Sequence, residues 1–252
     1  MDRLLIATLN IRNLADRWDE RMPLLLADMA ALQPDVLGLN EVVYPLQQDR
    51  LLGAAGEGRY EAVRGWAGLP EYGNSLLVRQ PLRATDVERL DLGATRSAHR
   101  VRMALPGGAR LVFVVTHLHH VPADAALRVA QVDRLLEWLD DLPAHDALVV
   151  AGDFNAEPEE PAYGRMTAAG FASAYPQANG EEPEVTWPSG LVAPGMDTDG
   201  DPGCMDYLWL RGSIRAEDAR LVFDRPAVGD PTLYPSDHVG VAAHVIIGEG
   251  GG

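Results

Sequence analysis

Residues 148–155 read LVVAGDFN, and residues 234–241 read YPSDHVGV. In the first stretch an apolar run ends in a glycine, an acid and an amide, and in the second an acid and a histidine precede an apolar run. Short runs of β-branched and aliphatic residues such as these predict buried strands. When two strands end at the same edge of a sheet, the polar residues at their ends meet in one cleft. The two stretches therefore predict a shared site at a sheet edge.

Four further segments have the same design. They are IATLNIR (6–12) with Asn10, VLGLNEV (36–42) with Glu41, LVFVVTH (111–117) with His117, and CMDYLWL (204–210) with Asp206. A single acid or amide at a strand end is ordinary turn chemistry. The repetition of the design predicts that these side chains converge.

The predicted cluster is rich in oxygen ligands. It contains Asn10, Glu41, His117, Asp153, Asn155, Asp206, Asp237 and His238. Hard oxygen ligands suit Mg²⁺ or Mn²⁺, which share their remaining positions with water and phosphate oxygens. Zinc would require more histidine or cysteine at closer spacing. The sequence therefore predicts a Mg²⁺ site, with Mn²⁺ as the alternative.

The ordered motifs resemble a known family. The run TLN (8–10), NEV (40–42), YGNSLL (72–77), THL (116–118), GDFN (152–155), MDYLW (205–209) and SDH (236–238) is similar to the endonuclease/exonuclease/phosphatase superfamily, the DNase I-like enzymes. The resemblance implies an α/β (α+β) fold, a four-layered α/β/β/α sandwich of two mostly antiparallel sheets. It also implies a phosphate-ester substrate, which the protein would hydrolyse by direct attack of water.

The resemblance implies which residues would serve the metal. Glu41 would be the principal ligand, and Asn10 would lie beside the metal and the attacking water. Asp237 stands where the family places a second metal contact. Asn40 occupies the place of a common glutamine before the metal glutamate, which changes the neighbouring contacts and leaves Glu41 intact.

The resemblance also implies catalytic roles. Asp153 would orient or deprotonate the water, and Asn155 would hold a phosphoryl oxygen. His117 would donate to a non-bridging oxygen. His238 would stabilise the pentacoordinate phosphorus or protonate the leaving oxygen, with Asp206 fixing its tautomer.

Three residues are candidates for substrate binding. In the resemblance, Tyr72 and Asn74 lie near the substrate phosphate, although YGN is also typical of a turn that enters a strand. Arg100 alternates with apolar neighbours, so it could bind phosphate or face solvent. Trp66 and Trp187 could stack on a base or pack over the core.

Two other metal patterns fit poorly. THLHH (116–120) has Val121 where the HxHxDH motif of metallo-β-lactamase-like hydrolases requires aspartate, so His119 and His120 are predicted to be polar loop residues. The run Asp197, Asp199 and Asp201 imitates the start of a calcium loop, but Pro202 stands in place of the turn glycine. A solvated loop at the rim of the site is the better interpretation of this run.

Composition limits the chemistry and the substrate. All 21 basic residues are arginine, which excludes lysine Schiff bases and the lysine of phosphate loops. The net charge of −16 disfavours a long polyanion, so a small-molecule or lipid-derived phosphate ester is favoured over DNA or RNA. A nuclease and a catalytically inactive binding module of the same fold are the alternatives.

Hydrophobic periodicity predicts one domain over 1–247 and a flexible Gly-rich tail over 248–252. Strands are predicted at about 3–11, 35–43, 74–79, 100–105, 110–117, 147–152, 206–211 and 239–247, helices at about 19–32, 124–139 and 159–169, and a long loop over 177–203. The single cysteine, the absence of a signal-peptide pattern and the short apolar runs predict a cytoplasmic protein without a membrane anchor.

Overall fold

Twelve strands in the described part of the chain form two sheets of six. This computed structural model describes residues 1–65, 72–196 and 200–248, with the side chain of Tyr72 left out. The strands are β1 (Asp2–Asn10), β2 (Val36–Val43), β3 (Tyr60–Arg64), β4 (Tyr72–Arg79), β5 (Thr85–Gly93), β6 (Arg96–Ala104), β7 (Arg110–His117), β8 (Ala147–Asp153), β9 (Ala172–Ser173), β10 (Asp206–Gly212), β11 (Ile214–Val222) and β12 (Gly240–Ile247). The helices are α1 (Trp18–Leu32), α2 (Leu46–Ala55), α3 (Ala125–Asp140), α4 (Pro161–Ala168) and α5 (Ala174–Asn179).

Each sheet has one parallel pair of strands at its centre. The first sheet has the order β11-β12-β1-β2-β4-β3, and the second has the order β5-β6-β7-β8-β10-β9. β1 runs parallel to β2, and β7 runs parallel to β8, while the other neighbours are antiparallel. A parallel pair needs a crossover connection, which α1 supplies in the first sheet and α3 in the second.

The apolar strands are buried on both faces because each sheet lies between two layers. In β7, Leu111 and Phe113 belong to the cluster shared by the two sheets, whereas Val112 and Val114 belong to the cluster beneath α3 and α4. Successive side chains of a strand point to opposite faces, so both sets of β7 residues must be apolar. The uninterrupted LVFVV run follows from this position.

Helices cover the outer face of each sheet. Leu25 and Met29 of α1 pack with Leu51 of α2 in the cluster beyond the first sheet. Val132 and Leu135 of α3 occupy the corresponding cluster beyond the second sheet. The predicted four-layered α/β/β/α sandwich is confirmed, with two sheets that are mixed and mostly antiparallel.

The polar ends of the central strands meet at one edge of the sandwich. Asn10 is in register with Asn40 across the first parallel pair, and His117 is in register with Asp153 across the second. β10 runs antiparallel to β8, so its first residue, Asp206, also lies opposite Asp153. Strand ends and strand starts therefore bring the predicted site residues to the same edge.

The sequence did not predict six of the observed elements, which lack a long apolar run. They are the strands β3, β5, β9 and β11 and the helices α2 and α5. β5 lies at a sheet edge and has Leu92 as its one buried residue, so its sequence carries the charged pattern of a surface. The predicted loop over 177–203 begins inside α5, which ends at Asn179. From Gly180 to Met205, the described residues hold a single isolated bridge, Trp187 to Gly203, in agreement with the rest of that loop. Trp66, Asp197, Asp199 and residues 249–252 lie outside the described residues.

The described helices contain no segment long and apolar enough to span a membrane.

One buried histidine makes the stability depend on pH. Burial lowers the pKa of His99 to about 3, and neither ring nitrogen has a hydrogen-bond partner among the described residues. Below about pH 6.5, His99 binds a proton in the unfolded state but stays neutral in the folded state. The free energy of unfolding therefore falls as pH decreases from 6.5 towards 3.

We expect His99→Leu to remove this contribution, which amounts to about 1.4 kcal/mol per pH unit. Urea unfolding of both proteins at pH 7 and at pH 5 measures it. The wild type should lose more stability than the variant over this interval, and equal losses would contradict the assignment.

Candidate active site

Asp153 lies at the centre of a buried polar cluster. It is the last residue of β8, and its Oδ2 accepts a hydrogen bond of 3.0 Å from Asn10 Nδ2. The Nε2 atoms of His117 and His238 lie 3.4 Å and 3.7 Å from the same oxygen. The structure thus brings together four predicted site residues, drawn from both sheets.

The Asn10 amide links two carboxylates. Its Nδ2 lies 3.3 Å from Glu41 Oε1, in addition to its bond with Asp153. Glu41 Oε2 accepts a bond of 2.7 Å from Asn13 Nδ2, and the Glu41 backbone has a left-handed φ of 59°. Asn10 Nδ2 therefore lies between one carboxylate oxygen of Glu41 and one of Asp153.

A buried arginine fixes the loop that follows β1. The guanidinium of Arg21 donates to six backbone carbonyl oxygens, those of Ile11, Arg12, Asn13, Ala15, Asp16 and Pro235. Pro235 belongs to the segment that leads to Asp237 and His238. One side chain therefore orders both loops that flank the cluster.

His238 is held by a carboxylate. Its Nδ1 lies 2.8 Å from Asp206 Oδ2, and both residues are buried. Burial opposes protonation, but Asp206, Asp237 and Asp153 outweigh it and raise the pKa of His238 to about 10. The imidazole is therefore protonated at neutral pH, with Nδ1 donating to Asp206 and Nε2 directed at Asp153.

His117 contacts an arginine and, unlike His238, is neutral. Arg96 donates to its Nδ1 over 2.9 Å, because a guanidinium can only donate. Burial and the nearby Arg96 charge keep the pKa of His117 well below its usual range. His117 is therefore neutral, and the Arg96 contact assigns its proton to Nε2, the atom that faces Asp153.

Asp153 has the character of a proton acceptor at neutral pH. Burial and the neighbouring Asp206 raise its pKa to about 7, against the lowering effect of His238 and Asn10. A general base works best with a pKa near the operating pH. The backbone N–H of Asn155 donates to Asp153 Oδ1 over 2.8 Å, which fixes the carboxylate plane.

A buried Asp/Asp/His group at this edge could hold a metal ion. Ligand atoms of Asp153, Asp206 and His238 lie within 4.8 Å of one another. Asp206 Oδ1 is buried and has no hydrogen-bond partner among the described residues. An orphaned buried carboxylate oxygen is costly unless a cation accompanies it, so the two carboxylates of this group fit a hard metal ion. His238, protonated on both nitrogens, offers no lone pair to a metal in that state.

Asp237 does not converge with that group. Its Oδ2 accepts from the indole N–H of Trp187 over 3.3 Å, and its Oδ1 lies 3.2 Å from Ser236 Oγ. Arg12 Nε lies 3.6 Å from Oδ2. These contacts occupy both oxygens, just as Asn10 and Asn13 occupy both oxygens of Glu41, and the metal contact of Asp237 stays a prediction. Trp187 is half-buried beside it, at the rim of the site.

Asn155 lies beside Asp153 and faces the His117 loop. Its backbone has a left-handed φ of 48°, and its side-chain amide donates to the carbonyl of Leu118 over 3.1 Å. The residue is half-buried and follows the buried Asp153 by two positions.

Two of the three predicted substrate-binding residues, Arg100 and Asn74, are not brought to the cluster. Arg100 is buried, pairs with Glu88 over 2.8 Å and stacks 4.1 Å from the Trp138 ring, so its guanidinium is already occupied away from the site. Asn74 is buried beneath the cluster, where it bonds to Asn40 and to the carbonyl of Ser97. The side chain of Tyr72 lies outside the described residues.

Sequence reasoning missed three supporting residues, Asn13, Asn40 and Arg96. Asn13 extends the polar run NIRN, a signal that was present in the sequence. Asn40 was noted only as a departure from the family glutamine, yet it joins both sheets: its Nδ2 donates to Asn74 and to the Thr116 carbonyl, and its Oδ1 accepts from the Asp153 N–H. Nothing in the sequence distinguishes Arg96 from its neighbouring arginines.

Comparison with known proteins agrees with this geometry. Residues 7–238 match a family model described as the Endonuclease/Exonuclease/phosphatase family. Nocturnin from Xenopus laevis is 27% identical, with 88% of this chain aligned, and the chain spans 63% of that protein's length.

Two solved structures share the fold. The human nocturnin catalytic domain with bound sulfate anion has a TM-score of 0.76 at 23% identity, covering 98% of this chain and 95% of that one. D. rerio TDP2 complexed with single strand DNA product has a TM-score of 0.80 at 18% identity, covering 98% and 100%.

Replacing Asn40 by leucine should destabilise the protein. Asn40→Leu leaves the Asp153 N–H and the Asn74 side-chain oxygen buried without partners, and each such group costs about 1–3 kcal/mol. We expect urea unfolding to show a loss of about 2–4 kcal/mol in the free energy of unfolding. Asn179→Leu, at an exposed position, is the control, and equal losses in the two variants would refute the structural role of Asn40.

Proposed function

Because the chain belongs to the endonuclease/exonuclease/phosphatase family, we propose that it hydrolyses a phosphate ester by direct attack of water with the help of Mg²⁺ or Mn²⁺. The observation that carries the proposal is the buried Asp153 carboxylate, which lies between one neutral and one protonated imidazole and shares the Asn10 amide with Glu41. Water attack on phosphorus needs a base, charge neutralisation and a proton for the leaving oxygen.

The chain's own residues supply these functions. Asp153 accepts the proton of the attacking water, and protonated His238 donates its Nε2 proton to the leaving oxygen. His117, with its proton on Nε2, donates to a non-bridging phosphate oxygen, and Asn155 holds another. Glu41 and Asn10 would hold the divalent cation beside the Asp153 carboxylate, and the cation would neutralise phosphate charge when bound.

The acidic chain favours a small-molecule or lipid-derived phosphate ester. A net charge of −16 repels a long polyanion, and the binding of nucleic acid depends on cations that neutralise phosphates. The likeness to a TDP2 structure that contains a DNA product favours the alternative, a nuclease that acts on DNA or RNA. A panel of DNA, RNA and small phosphate esters separates the two.

Metal dependence tests the reaction class. Purified protein is incubated with bis-(p-nitrophenyl) phosphate, DNA, RNA and the ester panel, with Mg²⁺ or Mn²⁺ and separately with EDTA. We expect turnover of at least one substrate with metal and its loss with EDTA. Absence of metal-dependent turnover on every substrate would favour the third possibility, a catalytically inactive binding module.

Two substitutions test the assigned roles. Asp153→Asn removes the base and His238→Ala removes the acid, and groups of this kind typically contribute 10²–10⁴ in rate. We expect kcat to fall by about 10² or more in each variant. Asp146→Asn, which alters an exposed carboxylate paired with Arg110, is the matched control and should retain wild-type activity. Activity within about tenfold of wild type in either site variant would refute its role.

A further inference from the structure

Arg96 lies beside His117 at the open edge of the site. It is the first residue of β6, directly after the hairpin turn in which Ala94 and Thr95 have φ of 50° and 61°. β6 pairs with β7, so the start of β6 stands next to the end of β7. The Arg96 guanidinium contacts two imidazoles, His117 Nδ1 at 2.9 Å and His120 Nδ1 at 3.1 Å.

The partners of Arg96 differ from those of Arg12 and Arg128 near this edge, and also from those of Arg21, whose guanidinium donates to six backbone carbonyls. Arg12 and Arg128 are paired with the carboxylates of Asp16 and Glu160. Within the described ranges, Arg96 forms no ion pair with a carboxylate, although the chain carries 37 acidic residues. Its two imidazole contacts use two of the five guanidinium N–H groups. The remaining donors match the oxygens of a phosphate, which binds guanidinium in a bidentate manner.

We propose that Arg96, together with His120, binds a second phosphate group of the substrate. His117 Nε2 faces Asp153, where the scissile phosphate is placed, and His117 Nδ1 faces Arg96. The second phosphate therefore lies one imidazole ring away from the first, on the half-buried to exposed surface formed by Arg96 and His120. The inference rests on the proposed function, and it narrows the substrate class to esters with two phosphates joined by a short linker.

The test compares two substrates that differ only in the second phosphate. Phosphate release from propane-1,3-diyl bisphosphate and from propyl phosphate gives a ratio of kcat/KM values for wild type and Arg96→Gln. We expect wild type to prefer the bisphosphate by about tenfold or more and Arg96→Gln to lose this preference, since a hydrogen bond to a charged group has this magnitude. If Arg96 only positions His117, the substitution lowers kcat/KM equally for both substrates. The ratio of the two kcat/KM values then stays unchanged, which overturns the proposal.

Arg102→Gln is the matched control on the same strand. Arg102 is paired with Asp86 at 3.0 Å, so its replacement should leave the ratio as in wild type. The dinucleotides pTpT and TpT, which differ in a terminal phosphate, repeat the comparison of kcat/KM values with a second phosphate that comes from a nucleic acid. An Arg96-dependent preference in either pair supports the subsite, and its absence from both overturns it.

Binding keeps the subsite testable if the reaction fails. Should wild type hydrolyse none of these compounds, the proposed function is refuted for them, and calorimetric titration of the bisphosphate and of propyl phosphate into both proteins decides the subsite. Tighter binding of the bisphosphate to wild type that disappears in Arg96→Gln supports it. Equal affinities of the two compounds for wild type overturn it.

Discussion

The site depends on one carboxylate that is buried between the two sheets. Asp153 contacts Asn10 of the first sheet, while His117 and the Asp206–His238 pair approach it from the strands and loop around it. A lone buried carboxylate would be costly, so each contact compensates part of its desolvation. Asn40 of the first sheet adds hydrogen bonds to Thr116 and Asp153 of the second. The two sheets therefore meet through these contacts, and the same interactions support the fold and the chemistry.

The two histidines illustrate how environment assigns roles to identical side chains. His238 lies against Asp206 and is protonated, whereas His117 lies against Arg96 and is neutral. Both direct Nε2 at Asp153. A protonated imidazole can donate its proton to the leaving oxygen, and a neutral imidazole can donate a hydrogen bond to a non-bridging oxygen. Asp206 thereby suits His238 to acid catalysis, and Arg96 suits His117 to charge stabilisation.

Sequence alone predicted the elements that carry long apolar runs and the polar residues at their ends. LVVAGDFN and LVFVVTH became β8 and β7, and the convergence of their last residues follows from parallel pairing. Edge strands such as β5 were not predicted, because one face is solvated and little of their sequence is apolar. Arg100 and Arg96 were indistinguishable in sequence, since what separates them is a tertiary partner, Glu88 for one and His117 for the other.

The roles of Asp153, His117 and His238 depend on one neutral and one protonated imidazole beside the carboxylate. Two-dimensional ¹H–¹⁵N correlation spectra of histidine side chains at pH 7, assigned with His117→Gln and His238→Gln, measure both states directly. We expect His238 to carry protons on both nitrogens and His117 to carry one, on Nε2. Two neutral rings, or the reverse assignment, would contradict it.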